Sequence, residues 1–253
     1  MAAPAVVADA AQKGPYEIGF TSFVLTDSSR PGDGAAYLHR PLPVYVWYPA
    51  DAQAVTPAWP QALYPMDPLY AGLPSFPADA WAPYGFDQAL QEPAPSADGP
   101  FPLVVISPGW GGSAWQHMPI ATRLASHGFV VAVPYHAGDQ FWPWEPLFDR
   151  LSVATFNRPR DVSFVLTDLL AKNAMAGHLL HGTMRPDQVA AAGWSLGGYA
   201  SIVLASGDEA LATRWPTSIP IRRRGPACRR RRIRESRRSS PSTVPGGFCG
   251  FRS

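Results

Sequence analysis

The residues best placed to do chemistry lie in "GWSLG", Gly193–Trp194–Ser195–Leu196–Gly197, behind the apolar run "QVAAA" and ahead of the small-residue stretch "GGYASIVLAS". A serine on a sharp turn from a strand into a helix is forced into a strained backbone conformation. A bulky residue two positions to either side would collide there, which suits glycine at 193 and 197. Such a turn lifts the Ser195 hydroxyl above a sheet, at a helix N-terminus that favours developing negative charge. The chemistry implied is nucleophilic attack through a covalent intermediate. Gly198 is expected to let the helix pack closely on the strands.

A second segment complements the first. "SPGWGG", Ser107–Gly112, follows the apolar run "FPLVVI", and its glycines (Gly109, Gly111, Gly112) leave backbone N–H groups able to face a bound oxygen. By position, the amides of Trp110 and Leu196 would form an oxyanion hole, each donor contributing on the order of 3 kcal/mol to the transition state.

The elements that must hold these residues can be read from hydrophobic periodicity. "EIGFTSFVLTD" and "PLPVYVWYPA" predict two strands joined by the turn-rich "SSRPGDGAAYLHR", an antiparallel start. Residues 56–100 are rich in proline and aromatics (Trp59, Tyr64, Tyr70, Phe76, Trp81, Tyr84, Phe86) and show no sustained period, which predicts a packed excursion rather than disorder. "FPLVVIS" and "FVVAVPY" are continuous apolar runs of the kind buried in parallel sheets. The helical spacing of "SAWQHMPIATRLASHG" stops at Gly128. In "RPRDVSFVLTDLLAKNA" the residues Val162, Val165, Leu166, Leu169 and Leu170 form one helix face. "PDQVAAAGW" is a third parallel strand, and a helix follows it. Alternating strands and helices predict a mostly parallel, doubly wound α/β sheet.

These pieces resemble an α/β-hydrolase of the dienelactone-hydrolase-like and platelet-activating-factor-acetylhydrolase-like kind. The matching stretches are "RPLPVYVWYPA", "FPLVVISPGWGGSAWQHMPIATRLASHGFVVAVPYHAGD", "RPRDVSFVLTDLL" and "MRPDQVAAAGWSLGGYA", so the likeness covers about residues 15 to 212. The resemblance implies hydrolysis of a carboxylic ester through an acyl-enzyme on Ser195, with Trp110 and Leu196 supplying the oxyanion N–H donors. It also implies a small-molecule or lipid ester as substrate and no cofactor. Loops above the strand ends, including "FWPWEP", would wall the acyl pocket. Trp110, Trp142 and Trp144 point to an apolar acyl or aryl group.

The chain departs from that family after the serine. The family order is serine, acid, histidine, yet only Asp208, Glu209 and Glu235 follow Ser195, and no histidine does. Without a base the hydroxyl is a poor nucleophile, and a fall on the order of a million-fold is the expectation. His136, at the carboxyl end of a predicted parallel strand, is the candidate substitute base. His39, His117, His127, His178 and His181 read as solvated or packing side chains. The histidines lack metal-ligand spacing and no acidic cluster accompanies them, so no metal site is expected.

Charge divides the chain. Residues 1–213 carry 9 basic and 18 acidic side chains, net −9, whereas 214–253 carry 12 basic and 1 acidic, net +11. The expected organisation is an N-terminal extension over 1–15, an α/β-hydrolase domain over 16–212 lacking its last strands, and an Arg-rich, poorly ordered tail over 213–253. That composition is what a GC-rich gene yields when read out of frame, an expectation that resequencing across codons 205–225 tests. The tail lacks a nucleic-acid module, so no specific nucleic-acid partner is expected. A catalytically silent scaffold whose tail binds nucleic acid or acidic surfaces is the alternative reading. No apolar run reaches the length of a membrane span. "MAAPAVVADAAQ" has no basic segment, and cytoplasmic residence and export with a clipped signal both stay open. With later strands missing, Val189–Gly193 is expected to form an exposed apolar edge, and stability to be marginal.

Overall fold

The computed structural model describes residues 12–32, 38–53, 55–56, 58–65, 75–77, 88–138 and 151–207. The Arg-rich segment, the "FWPWEP" loop with Trp142 and Trp144, and the aromatics Tyr70, Trp81, Tyr84 and Phe86 lie outside these residues, as do Asp208, Glu209 and Glu235.

Among the described residues eight strands and three α-helices follow one another as β1 (Glu17–Pro31), β2 (His39–Ala50), β3 (Leu63–Pro65), β4 (Ser75–Pro77), β5 (Leu90–Gln91), β6 (Phe101–Ser107), α1 (Met118–Ser126, entered through a 3-10 turn at Ala114–His117), β7 (Val130–Pro134), α2 (Leu151–Ala174), β8 (Met184–Gly193) and α3 (Leu196–Ser206). The main sheet has the order β5-β1-β2-β7-β6-β8. β7, β6 and β8 run parallel, whereas β1–β2 and β2–β7 are antiparallel. β5 runs parallel to β1, so the sheet is mostly parallel, as expected, with β2 alone of its six strands reversed, because β1 and β2 form a long hairpin that joins through β2. Both strands run into the expected turn segment, β1 to Pro31 and β2 from His39. Asp27 accepts from the Ser29 amide and hydroxyl and from Arg30 Nε, and the register shifts between Asp27 and Pro31.

The 56–100 excursion, expected to lack regular structure, contributes the β3–β4 pair and β5, which pairs with β1. Tyr64 packs on Phe20 with ring centroids 4.5 Å apart, and Trp47 Nε1 donates to Tyr64 Oη at 3.2 Å.

Period-two alternation along β2 sorts the two layers. Tyr45 and Trp47 face a core that includes Met118, Ala121 and Ala125 of α1. Arg40, five and seven positions away and so on the opposite face, reaches Asp161 on α2. The predicted α2 face holds: Val162, Val165, Leu166 and Leu169 are buried, and Leu170 is half-buried. α1 closes at Gly128, whose φ of +90° requires glycine.

From β6 the chain crosses through α1 to β7 on one side, then returns through α2 to β8 on the other. The carboxyl end of β6 is thus where strand order reverses, the crevice at which open α/β sheets place their ligands.

Among the described residues β8 pairs only with β6, and most of its residues are exposed. Ile202 on α3 is 69% exposed. An apolar strand edge of this kind templates intermolecular pairing. Ala190→Lys, which places a charge on that edge, is expected to reduce concentration-dependent light scattering while leaving the unfolding free energy within about 0.5 kcal/mol of the parent.

Candidate functional site

Ser195 occupies the turn between β8 and α3 with φ 52° and ψ −117°, a conformation rarely adopted by a residue with a side chain. It stands at the N-cap of α3 and its side chain makes no capping hydrogen bond. The residue is exposed.

Glycines make the turn sterically feasible. A Cβ on Gly193 would lie 2.5 Å from the Gly197 carbonyl oxygen and 2.8 Å from the Gly198 amide. A Cβ on Gly197 would run into the Ser107 carbonyl and stand 2.6 Å from that of Pro108. The close approach thus rests on Gly193 and Gly197. The equivalent atom on Gly198, expected from the sequence to provide it, would meet the Gly193 carbonyl at 3.3 Å, a tight contact that a shift of a few tenths of an ångström relieves.

The carboxyl end of β6 comes up beside this turn. The Trp194 amide donates to the Ser107 carbonyl at 3.2 Å. Gly109 faces Trp194 and Ser195 so closely that a Cβ there would sit 3.6 Å from that of Ser195. Gly111 has φ +70°, and the Gly112 amide donates to the Gly109 carbonyl at 2.9 Å, closing a tight loop. Between loop and elbow lies a cleft of about 570 Å³, walled by residues 109–112, Gln116, His117, Trp194 and Ser195. The structure therefore brings together Gly109, Trp110, Gly111, Gly193, Ser195, Leu196 and Gly197.

His136 goes elsewhere. It follows β7 at its carboxyl end, yet it is fully buried, its Nε2 stands 2.9 Å from Ser107 Oγ, and its Nδ1 stands 2.8 Å from Asp161 Oδ2. Both ring nitrogens are committed inside the protein, so the reading of His136 as a base for Ser195 is corrected. Among the described residues no hydrogen bond joins a base to Ser195 Oγ.

Asp161 is the hub of this interior network. Arg40 approaches it with Nε at 2.7 Å and Nη2 at 2.6 Å, and Arg30 Nη1 stands 2.8 Å from Oδ1. Burial pushes the Asp161 carboxyl up, but the Arg40 charge and hydrogen bonds, with His136, hold it far below the usual carboxylate range. An ionised Asp161 accepts from Nδ1–H, and in a neutral ring Nε2 then accepts the Ser107 hydroxyl proton. Ser107, His136 and Asp161 thus stand in the atom order of a catalytic triad, sealed from solvent at 0% exposure each. A substrate carbonyl cannot reach Ser107, whereas Ser195 opens on the cleft.

Two residues of the site escaped the sequence reading. His117, whose sequence context reads as that of a packing or solvated side chain, lines the cleft with Ser195, and burial holds its imidazole below the ordinary histidine value. Arg158 is fully buried. Its guanidinium donates to the carbonyls of Pro108 and, at 2.8 Å, of Gly109. The one available signal was charge inside an otherwise apolar helix face.

The model of the dienelactone hydrolase family matches residues 86–219, and that of platelet-activating factor acetylhydrolase, isoform II, matches residues 10–140. No curated protein matches the chain. Among solved structures, the ferulic acid esterase from Streptomyces cinnamoneus is similar at 26% identity and a TM-score of 0.53, over 82% of this chain and 58% of its own. The chain therefore spans little more than half the length of that esterase. The likeness bears out the expected α/β-hydrolase architecture.

Proposed function

Because the chain belongs to the dienelactone hydrolase family, we propose that it acts on a carboxylic ester through an acyl-enzyme formed on Ser195. The observation that carries this reading is the positive φ of Ser195 at the β8–α3 turn, where its side chain opens on a cleft whose far wall is the glycine loop at 109–112. Such strain persists where the surrounding structure imposes it, and it clusters at reactive sites.

In the proposed sequence Ser195 Oγ attacks the ester carbonyl carbon, forming a C–O bond while the carbonyl π electrons move onto oxygen. The resulting anion accepts hydrogen bonds from the Trp110 and Leu196 amides, and the N-terminus of α3 adds a favourable field. Collapse breaks the bond to the alkoxide, which leaves as an alcohol after taking a proton. A water then attacks the acyl carbon, the bond to Ser195 Oγ breaks, and the carboxylic acid leaves while a proton from that water returns to Oγ. Trp110 and Trp194, which line the cleft with Ser195, suit an apolar acyl or aryl substituent.

No base is joined to Ser195 Oγ among the described residues, so the hydroxyl proton passes to cleft water and the first step is slow. The test is a fluorophosphonate probe followed by peptide mapping. Stoichiometric modification of Ser195, lost in Ser195→Ala, is expected, at a rate on the order of a million-fold below that of a serine with its full triad. Modification at other serines, or a rate unchanged in Ser195→Ala, would overturn the assignment.

A further inference from the structure

We propose that Arg158 is a positioning residue that presets the Gly109–Trp110 peptide as an oxyanion donor; this deepens the reading of Ser195 as nucleophile and rests on it for its catalytic meaning. The argument is geometric. A peptide unit is planar and trans, so its carbonyl and its N–H point in opposite directions. The carbonyl of Gly109 and the amide of Trp110 belong to one such unit. Arg158 Nη2 holds the Gly109 carbonyl at 2.8 Å, and its Nη1 holds that of Pro108. With the Gly109 oxygen drawn toward Arg158, the Trp110 N–H is turned the other way, and Trp110 itself lines the cleft that contains Ser195.

Three consecutive residues are gripped from α2. Arg158 takes Pro108 and Gly109 directly. One turn later Asp161 holds His136 at 2.8 Å, and His136 holds the Ser107 hydroxyl at 2.9 Å. On the opposite flank the same segment adjoins the elbow: the Ser107 carbonyl accepts from the Trp194 amide, and Gly109 leaves no room for a side chain beside Trp194 without tight contact. The fork of a guanidinium suits two adjacent carbonyls, whereas an ammonium offers a single point of charge. The planar group fixes the tilt of the peptide as well as its distance, and this separates a positioning role from mere neutralisation of buried carbonyls.

The Gly112 amide supplies a reporter, since it donates to the same Gly109 carbonyl at 2.9 Å. Hydrogen exchange resolved to single amides is expected to show the Gly112 proton exchanging at least tenfold faster in Arg158→Met, with amides of β7 and α1 within twofold of the parent. Arg158→Lys should fall between the two, and it takes the place of Arg158→Met should that variant fail to fold. Unchanged exchange at Gly112, or equal acceleration across every buried segment, would overturn the proposal.

A second arm reads function. Phosphonylation of Ser195 is expected to slow ten- to a hundredfold in Arg158→Met and to recover partly with added guanidinium at millimolar concentration. Failure of the parent chain to label at Ser195 would overturn the nucleophile assignment while the exchange result still decides the role of Arg158. Labelling that is unaffected by Arg158→Met would overturn the positioning role even with faster exchange.

Discussion

Asp161→Ala is expected to cost this protein a large part of its stability. The carboxylate is fully buried and answers Arg40, Arg30 and His136 together. Deleting it leaves the Arg40 guanidinium at 2% exposure with its buried countercharge gone, whereas Arg30 keeps Asp27. Breaking a buried ion pair by removing one partner typically costs about 3–5 kcal/mol, against a total stability of about 5–15 kcal/mol for a natural domain. Urea denaturation followed by far-UV circular dichroism measures it, and a loss below about 1 kcal/mol would show that Asp161 is not the hub described.

The same group sets a pH dependence with a defined sign. The Asp161 carboxyl titrates far below its ordinary range in the folded protein, so the unfolded chain binds its proton first as pH falls. Its contribution is present in full above the ordinary carboxylate value of about 4 and is lost progressively below it. Asp161→Asn, which keeps the shape but not the charge, should flatten the slope of stability against pH below about pH 4 and lower stability at neutral pH.

Gly197→Ala is expected to be the most damaging single methyl in the site. The new Cβ would overlap the Ser107 carbonyl and stand 2.6 Å from the Pro108 carbonyl oxygen. Both neighbours are backbone, so no rotamer change relieves the collision, and α3 must move away from β6. Overpacking usually costs about 1–3 kcal/mol, and occasionally more; this position should reach the upper end. The displacement also opens the gap between Ser195 and the 109–112 loop, so fluorophosphonate labelling should fall by at least tenfold. Gly198→Ala is the control, because its Cβ meets one carbonyl at 3.3 Å and alanine favours a helix by about 1 kcal/mol. Stability of Gly198→Ala is expected within about 1 kcal/mol of the parent. Equal effects at 197 and 198 would mean that the helix adjusts freely and that the elbow is not rigidly seated.

Much of the scaffold could be read directly from the chain. Continuous apolar runs marked β6 and β7, the period of Val162, Val165, Leu166 and Leu169 marked the buried face of α2, and Gly128 marked the end of α1 at a positive φ. The elbow at 193–197 and the loop at 109–112 were legible for the same reason: strain, tight turns and close approach impose residue types on neighbours within a few positions. Strand order was not legible, and with it went the pairing of β5 with β1, because hydrophobic runs do not say which partner they meet.

The polar interior depended wholly on that order. Arg40 and Asp161 are 121 residues apart, His136 and Ser107 are 29, and Arg158 and Pro108 are 50. Each is an unremarkable polar residue in its own segment and becomes a network only when β2, β6, β7 and α2 converge. His136 shows the difference most clearly. Its place at a strand end was evident from local pattern, but which way its imidazole faces was decided by the neighbours the sheet gave it, and a buried carboxylate 25 residues later claimed the ring. Local sterics and periodicity are written along the chain, whereas the partners of buried charges are set by three-dimensional adjacency.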